Sequence, residues 1–487
     1  MSLDTVTYPL VTRENIAILD GILYDLKPVA DSLQEHLDDH VTNPVLAFQL
    51  IHRFIFIWVD HIKMRVQEDI GDELRQLLNS SSRLLSLKSD FSGACQAIFR
   101  MQYIYQISTS NFANGVLPGA DVKTFPAQLG VEHCFKIGAE AYDIDDYHMC
   151  VTWMEESLRR LDAGYPVRRW DEANKIRILE YIASCHYLDD RIHEAISFTR
   201  HLLQIDPDHK NAKTNLKLYE KVATENRFEM EGPMNGQDHR SHEGTGQRYG
   251  KYCRGEIPEP STRIHRNLYC YRKSDHPLLR LQPVGVEILH ANNPRVVLFK
   301  DVVTERECKM MKEKARPMLQ ASGVVESEDK VTFTNYRISN TAWLIDKYDP
   351  RLMTVAKRIE AMSGLNIHTA EPFQVVNYGI GGMYAPHVDY DRNHSVLKNR
   401  VATFLLYLSD VTWGGGTVFT KLGTMALPSK GDALYWYNMK RSGDHIPESQ
   451  HAGCPVVLGE KWIANKWFSY VGQENHFKCG LSPDSPE

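Results

Sequence analysis

Across residues 295–471 the apolar and aromatic residues arrive in short runs, RVVLFKDVV, FQVVNYG, ATFLLYLSDV, GTVFTK, DALYWYN and KWIANKWFSYV, separated by Gly, Pro and Asp. Runs this short, rich in β-branched and aromatic residues, suit the strands of an antiparallel sheet structure. The preceding half differs, since its apolar residues recur at helical steps of three and four. One layer cannot satisfy both periods. The chain of 487 residues is long enough for several cores, and it reads as multidomain: an all-α N-terminal half, then a β-rich domain braced by helices near 305–319 and 350–362.

The segment 378–391, YGIGGMYAPHVDYD, contains His387 and Asp389. In an extended strand residues two apart share a side, so an imidazole and a carboxylate can meet one metal. His-x-Asp alone is unspecific: a second copy, His36 and Asp38, lies in a charged helical stretch and reads as a solvated face. A third ligand must come from downstream, where spacing admits both His445 and His451. Lys461 separates them. In HAGCPVVLGEKWIANKW a strand-like segment, a turn at Gly459 and a second strand return Lys461 to the side of His451. Two imidazoles and a carboxylate on one face of Fe(II) leave the other positions open, and a lysine beside them can anchor a dicarboxylate. Taken singly, His451 reads equally as a hydrogen-bonded core histidine and Lys461 as a surface lysine; the combination favours His387, Asp389 and His451 as metal ligands and Lys461 as the anchor.

The runs NYGIGGMYAPHVDYD, RVATFLLYLSDVTWGGGTVF, KGDALYWYN and HAGCPVVLGEKWIANKWF, with YRISNTAWL upstream, resemble the catalytic domain of the collagen prolyl 4-hydroxylase α subunit. The similarity extends into the N-terminal half. It implies a double-stranded β-helix, or jelly roll, with the three ligands at its open mouth. It also implies Fe(II), 2-oxoglutarate, O₂ and ascorbate, and 4-hydroxylation of X-Pro-Gly repeats in procollagen with release of succinate and CO₂. Tyr378 and Thr403 then match donors to the carboxylate that Lys461 pairs with, Tyr384 a substrate contact, and Trp467 a residue lining the active site. Without the resemblance Tyr378, Thr403 and Trp467 would serve as well as barrel core. Gly414-Gly415-Gly416 follows a strand but opens no helix and carries no Lys-Ser/Thr, so it is a tight turn and no phosphate loop.

The resemblance implies disulfides joining Cys253 with Cys270 and Cys454 with Cys479. Of nine cysteines, this leaves Cys95, Cys134, Cys150, Cys185 and Cys308, which read as buried free thiols. Such a pattern fits the endoplasmic reticulum lumen. MSLDTVTYPL lacks the regions of a signal peptide, so either the chain is intracellular or a signal has been removed. Asn79 and Asn393 begin glycosylation sequons. No apolar run long enough to span a membrane appears, and a net charge of −6 without a basic block argues against nucleic acid.

The first 125 residues read as helical. Leu19, Ile22, Leu26, Val29 and Leu33 form the seam of a short coiled coil, interrupted by Pro28. An amphipathic helix packed on its own domain would show the same pattern, but the resemblance favours pairing of two α subunits. It implies protein disulfide isomerase as the β subunit, and the ending LSPDSPE, without a retention signal, agrees with retention through a partner.

Residues 129–224 carry a repeat of about 34 residues of the tetratricopeptide kind. Ala183, Ala195 and Pro207 occupy its small, small and proline positions, and Gly138 and Cys150 the small positions of a looser copy. Stacked helix pairs leave a concave groove. Tyr142, Tyr147, Tyr181, Tyr187 and Tyr219 suit Pro-rich peptide there, because a polyproline II ligand loses little entropy on docking; any one of them could equally fill the core. Ser184 stands where related chains carry a further tyrosine. Residues 225–250 read as a polar, flexible linker, and 251–487 as the catalytic domain. A dioxygenase of another Pro-rich or lysyl substrate and a non-catalytic peptide adaptor are the alternatives; the tyrosines oppose lysine, and the intact ligand set opposes the adaptor.

Overall fold

The structure is a computed structural model that describes residues 42–58, 88–117, 128–167, 173–226, 245–257, 268–327, 330–332, 336–391, 395–480 and 482. The heptad segment with Pro28 and both sequons, Asn79 and Asn393, lie outside the described residues.

The described residues of the N-terminal half are helical. Helix α1 (Pro44–His52) starts where Asn43 Oδ1 accepts the Val45 and Leu46 amides and Pro44 takes the first turn. Helices α2 (Lys88–Tyr105) and α3 (Thr109–Ala113) follow. The repeat then appears as two antiparallel pairs and a closing helix: α4 (Val131–Asp143) with α5 (Tyr147–Asp162), α6 (Lys175–Leu188) with α7 (Ile192–Ile205), then α8 (Lys210–Asn226). Gly138 is small for a packing reason, because a Cβ there would lie 2.9 Å from Met154 Cγ. Cys150 and Cys185, expected as free thiols, instead form a disulfide between α5 and α6, with Cα atoms 6.3 Å apart. Stacking of the two pairs brings Cys150 of α5 against Cys185 of α6.

The expected linker is shorter than 225–250, since α9 (Thr245–Cys253) begins within it. Tyr249 and Tyr252 of this helix pack against Val418, Ala452 and Cys454 of the C-terminal domain. That contact corrects both expected disulfides: Cys253 pairs with Cys454, Cα atoms 5.6 Å apart, whereas Cys270 and Cys479 are exposed free thiols. Cys270 opens the outermost strand of a sheet and Cys479 lies in the C-terminal segment, so neither reaches its neighbour in sequence.

The C-terminal domain is rich in antiparallel sheet. Its strands include β1 (Cys270–Lys273), β2 (Val284–His290), β3 (Val296–Phe299), β4 (Gln320–Ala321), β5 (Arg337–Ile338), β6 (Asn340–Leu344), β7 (Phe373–Tyr378), β8 (Met383–His387) and β9 (Arg400–Tyr407). They continue as β10 (Thr417–Phe419), β11 (Thr424–Ala426), β12 (Ala433–Tyr437), β13 (His451–Gly453), β14 (Val456–Leu458) and β15 (Lys461–Ser469). Nine of them form one sheet in the order β1-β2-β3-β12-β9-β15-β7-β6-β4, and five form a second, β11-β10-β13-β8-β5.

Period-two alternation divides the large sheet's side chains between two cores. Val297, Phe299, Phe404, Leu406, Tyr435, Ala464 and Phe468 join α10 (Glu305–Ala315) and α11 (Pro350–Ser363) on one side. Leu298, Val376, Leu405, Leu434, Trp436 and Ile463 meet Phe419 of the second sheet on the other. The bracing helices lie close to their expected places. Thr304 and Glu307 form a capping box at the start of α10, and Asp349 with Pro350 starts α11. The inner face, between the sheets, carries the polar residues of the site.

Candidate active site

Strands β8 and β13 are antiparallel neighbours in which His387 and His451 are direct cross-strand partners, their ring centroids 4.3 Å apart. Each ring faces a backbone carbonyl two residues earlier, His387 Nδ1 to Ala385 O at 2.8 Å and His451 Nδ1 to Ser449 O at 2.9 Å. A carbonyl only accepts, so each Nδ1 donates its proton and each Nε2 keeps a lone pair. Both Nε2 atoms lie 3.8 Å from a carboxylate oxygen of Asp389, and the three donor atoms fall within 4.8 Å of one another. His445 is elsewhere, bridging Met439 and facing Tyr390.

Strand period does not place Asp389, contrary to expectation, because β8 ends at His387 and Asp389 lies in the bend beyond it. Tertiary hydrogen bonds hold the carboxylate instead. Thr403 Oγ1 donates to Asp389 Oδ2 at 2.6 Å and Trp467 Nε1 donates to the same oxygen at 3.1 Å. Thr403 and Trp467 are themselves cross-strand partners on β9 and β15, and Asn438 Nδ2 donates to the Thr403 hydroxyl at 2.8 Å. Oδ1 makes no hydrogen bond among the described residues. Thr403, expected at the cosubstrate carboxylate, here gives its hydroxyl hydrogen to Asp389. Burial, then the neighbouring His451, lowers the His387 pKa to about 3. Burial raises Asp389, but His451, His387, Arg400 and the Thr403 hydroxyl outweigh it and bring the carboxyl to about 2. Two imidazole nitrogens and an ionised carboxylate fit a borderline cation such as Fe(II).

Lys461 lies in the same cavity, of about 830 Å³. It faces Tyr378 across β15 and β7, is 2% exposed, and donates to Thr417 Oγ1 at 3.2 Å. No carboxylate among the described residues pairs with it, and burial alone lowers its ammonium to about 7. A buried ammonium with one neutral partner is stabilised when an anion joins it. The Tyr407 hydroxyl donates to Thr417 at 2.9 Å, and Lys461 sits 5.5 Å from the Tyr378 ring centroid. Sequence reasoning passed over Thr417 and Tyr407; their signal was a polar atom at an inward position of an otherwise apolar strand.

The mouth is aromatic and basic. Tyr384 stacks on His387 with centroids 3.5 Å apart, and Arg337 lies 4.8 Å over its ring. Arg400 stacks on Trp467 at 3.7 Å while forking onto Glu371 at 2.5 and 3.0 Å. Arg337, Arg400 and Glu371 were also unmarked by any sequence motif.

In the repeat region the tyrosines divide into two groups. Tyr142 meets Tyr147 and Tyr181 edge-on at 6.0 and 5.4 Å, all half-buried. Tyr187 stacks on Tyr219 at 4.5 Å, and Tyr219, only 3% exposed, is core and offers no groove surface. Its hydroxyl hydrogen-bonds Ser184. At position 184 a half-buried serine thus stands beside the Tyr219 hydroxyl.

Residues 6–119 match the family described as the prolyl 4-hydroxylase alpha-subunit N-terminal region, 131–225 the prolyl 4-hydroxylase peptide-substrate-binding domain, and 373–469 the 2OG-Fe(II) oxygenase superfamily. A prolyl 4-hydroxylase subunit alpha-2 of Caenorhabditis elegans is 36% identical over 92% of this chain and 84% of its own. Subunit alpha-1 of the same organism is 37% identical over 98% of the chain and 90% of its own. Human subunit alpha-1 is 33% identical over 91% of the chain and 85% of its own.

Proposed function

The chain belongs to the family of prolyl 4-hydroxylase α subunits, and from that premise we infer that it hydroxylates C4 of prolyl residues in the X-Pro-Gly repeats of procollagen, consuming O₂ and 2-oxoglutarate. The observation that carries this is one cavity holding both the His387, Asp389 and His451 donor cluster and the unpaired buried Lys461. The sheet pair supports a double-stranded β-helix, its open mouth lined by those residues.

His387, Asp389 and His451 would hold Fe(II) through the two Nε2 atoms and the carboxylate. When bound, the iron supplies O₂ activation and the oxidative decarboxylation of 2-oxoglutarate to succinate and CO₂, with one oxygen delivered to the prolyl ring. The protein's residues do the positioning. Thr403 and Trp467 keep the Asp389 carboxylate turned towards the cluster. Lys461, with Thr417, neutralises the far carboxylate of 2-oxoglutarate in a site from which water is largely excluded, where a charge-assisted hydrogen bond is strong. Tyr384 and Trp467 offer aromatic surface beside the cluster for a proline ring.

The repeat region raises the local concentration of a Pro-rich chain near the site, through Tyr142, Tyr147 and Tyr181. The N-terminal region pairs two such subunits, with protein disulfide isomerase as the β subunit, in the endoplasmic reticulum lumen, where ascorbate keeps the iron reduced. The two disulfides support an oxidising compartment.

The test incubates the protein with Fe(II), 2-oxoglutarate, ascorbate and (Pro-Pro-Gly)ₙ, and counts succinate against 4-hydroxyproline. Equal yields are expected, and both should vanish in His451→Ala. Bound iron without hydroxyproline would sink the assignment. Hydroxylation of a non-collagen Pro-rich peptide in preference to (Pro-Pro-Gly)ₙ would favour the other substrate class.

A further inference from the structure

The iron ligands and the cosubstrate anchor all belong to the C-terminal domain, yet the turns beside them are bonded to the helical half. Gly381 sits in the turn between Tyr378 and Tyr384. Its carbonyl accepts from Arg100 Nε of α2 at 3.2 Å, and its Cα packs so closely on the helix that an added Cβ would lie 2.5 Å from Ala97 Cβ. Gly453, two residues after His451, offers its carbonyl to the Tyr249 hydroxyl of α9 at 3.0 Å. Pro455 accepts from the Tyr105 hydroxyl of α2 at 2.7 Å, and the same carbonyl takes the Gly415 amide at 3.0 Å. Gly415 in turn backs onto Lys461, with its Cβ position 3.5 Å from Lys461 Cδ, and stands two residues before Thr417. Tyr105 and Tyr249 are 7% and 4% exposed, so these hydroxyls have left water to bond those carbonyls.

The geometry has a mechanical meaning. Glycines at 381 and 415 have φ of 67° and 67°, and so can make turns that other residues resist. Such turns tolerate several backbone paths, and a hydrogen bond from outside selects one. Gly415 and Gly453 both adjoin Lys461, a Cβ on Gly453 lying 3.9 Å from its Nζ, and Gly381 stands three residues past Tyr378, so the bonded turns flank the end of the cavity assigned to the 2-oxoglutarate carboxylate. Arg254, one residue past α9, donates to Ile104 O of α2 at 2.7 Å and ties the two helices to each other. The Cys253–Cys454 disulfide fastens α9 to the chain leaving β13.

We propose that Arg100, Tyr105 and Tyr249 are positioning residues for 2-oxoglutarate: α2 and α9 form the outer wall of the cosubstrate end, and the helical half is a working part of the active site. The proposal rests on the cosubstrate assignment of Lys461. In full-length protein loaded with Mn(II) in place of Fe(II), the binding of N-oxalylglycine, an unreactive analogue of 2-oxoglutarate, is measured by calorimetry beside the melting temperature. Tyr105→Phe, Tyr249→Phe and Arg100→Gln should each weaken binding about three- to tenfold, the worth of one hydrogen bond. Arg100→Lys, which keeps a donor, should recover most of the loss, and the exposed Tyr348→Phe should match wild type. Ile104→Val trims packing at the same interface without removing a donor. The wall is refuted if the three variants bind as wild type does, or if Ile104→Val weakens binding as much at an equal loss of melting temperature. A wild-type protein that fails to bind the analogue would overturn the cosubstrate assignment itself, and the proposal with it.

Discussion

Thr403 donates its hydroxyl hydrogen to Asp389 Oδ2 at 2.6 Å, fourteen residues along the chain but directly beneath the carboxylate in space. Partners of this kind fix a ligand's orientation, and removing one typically lowers metal affinity about 10- to 100-fold. Thr403→Val keeps the shape and removes the donor. Mn(II) titration should show a loss of that order, with N-oxalylglycine affinity at saturating metal little changed. The reverse result would return Thr403 to the cosubstrate carboxylate.

Lys461 is buried without a counter-ion, so its charge costs the ligand-free protein stability. Lys461→Met fills the same volume without that cost. Its melting temperature should equal or exceed that of wild type, while N-oxalylglycine binding falls by roughly 1.5–3 kcal/mol, the range for hydrogen bonds to a charged group. Thr417→Val should show a smaller loss of affinity.

The same lysine sets a pH dependence. Its folded pKa of about 7 lies below the ordinary 10.5, so between these values the unfolded chain holds a proton that the native lysine has released. Ligand-free stability should therefore rise with pH across that window and be lost again as pH falls to about 7. Binding a carboxylate restores the ammonium. Analogue affinity should be level below about pH 7 and weaken above it, and calorimetry in two buffers at about pH 8 should find nearly one proton taken up. Lys461→Met should abolish that uptake.

Cys253 and Cys454 close a loop of 201 residues, with Cys270 and Cys479 left as exposed thiols. Peptide mapping without reduction should recover the 253–454 cross-link, and a maleimide should label 270 and 479 in the folded protein. Cys253→Ser should cost about 2–5 kcal/mol of stability, whereas Cys270→Ser should cost almost nothing.

Tyr142 and Tyr181 touch edge-on and stay half-buried, whereas Tyr219 is core. Tyr181→Ala should raise KM for a long (Pro-Pro-Gly)ₙ substrate several-fold with kcat unchanged, and should leave a tripeptide-length substrate unaffected. Tyr219→Ala should chiefly lower the melting temperature, as truncation of a buried aromatic costs about 3–5 kcal/mol.

Much of this protein was legible one segment at a time. The change from helical to alternating period marked the two halves, and His387, Asp389, His451 and Lys461 suggested iron chemistry as a combination of ligand types, although spacing alone left His445 and His451 both open as the third ligand. Partner choice was not local. Which cysteine meets Cys454 depends on where α9 lies, and the expected neighbours Cys270 and Cys479 end up at an outer strand and in the C-terminal segment. What Thr403 does depends on the register that sets it opposite Trp467, beneath a carboxylate that strand period alone would not have delivered. Arg100, Tyr105 and Tyr249 look like ordinary helix residues in sequence. Only packing of α2 and α9 on the sheets places their donors at Gly381, Pro455 and Gly453. Periodicity and donor chemistry are written along the chain, whereas the contacts that aim those donors form between segments separated by up to 350 residues, and tertiary structure alone decides them.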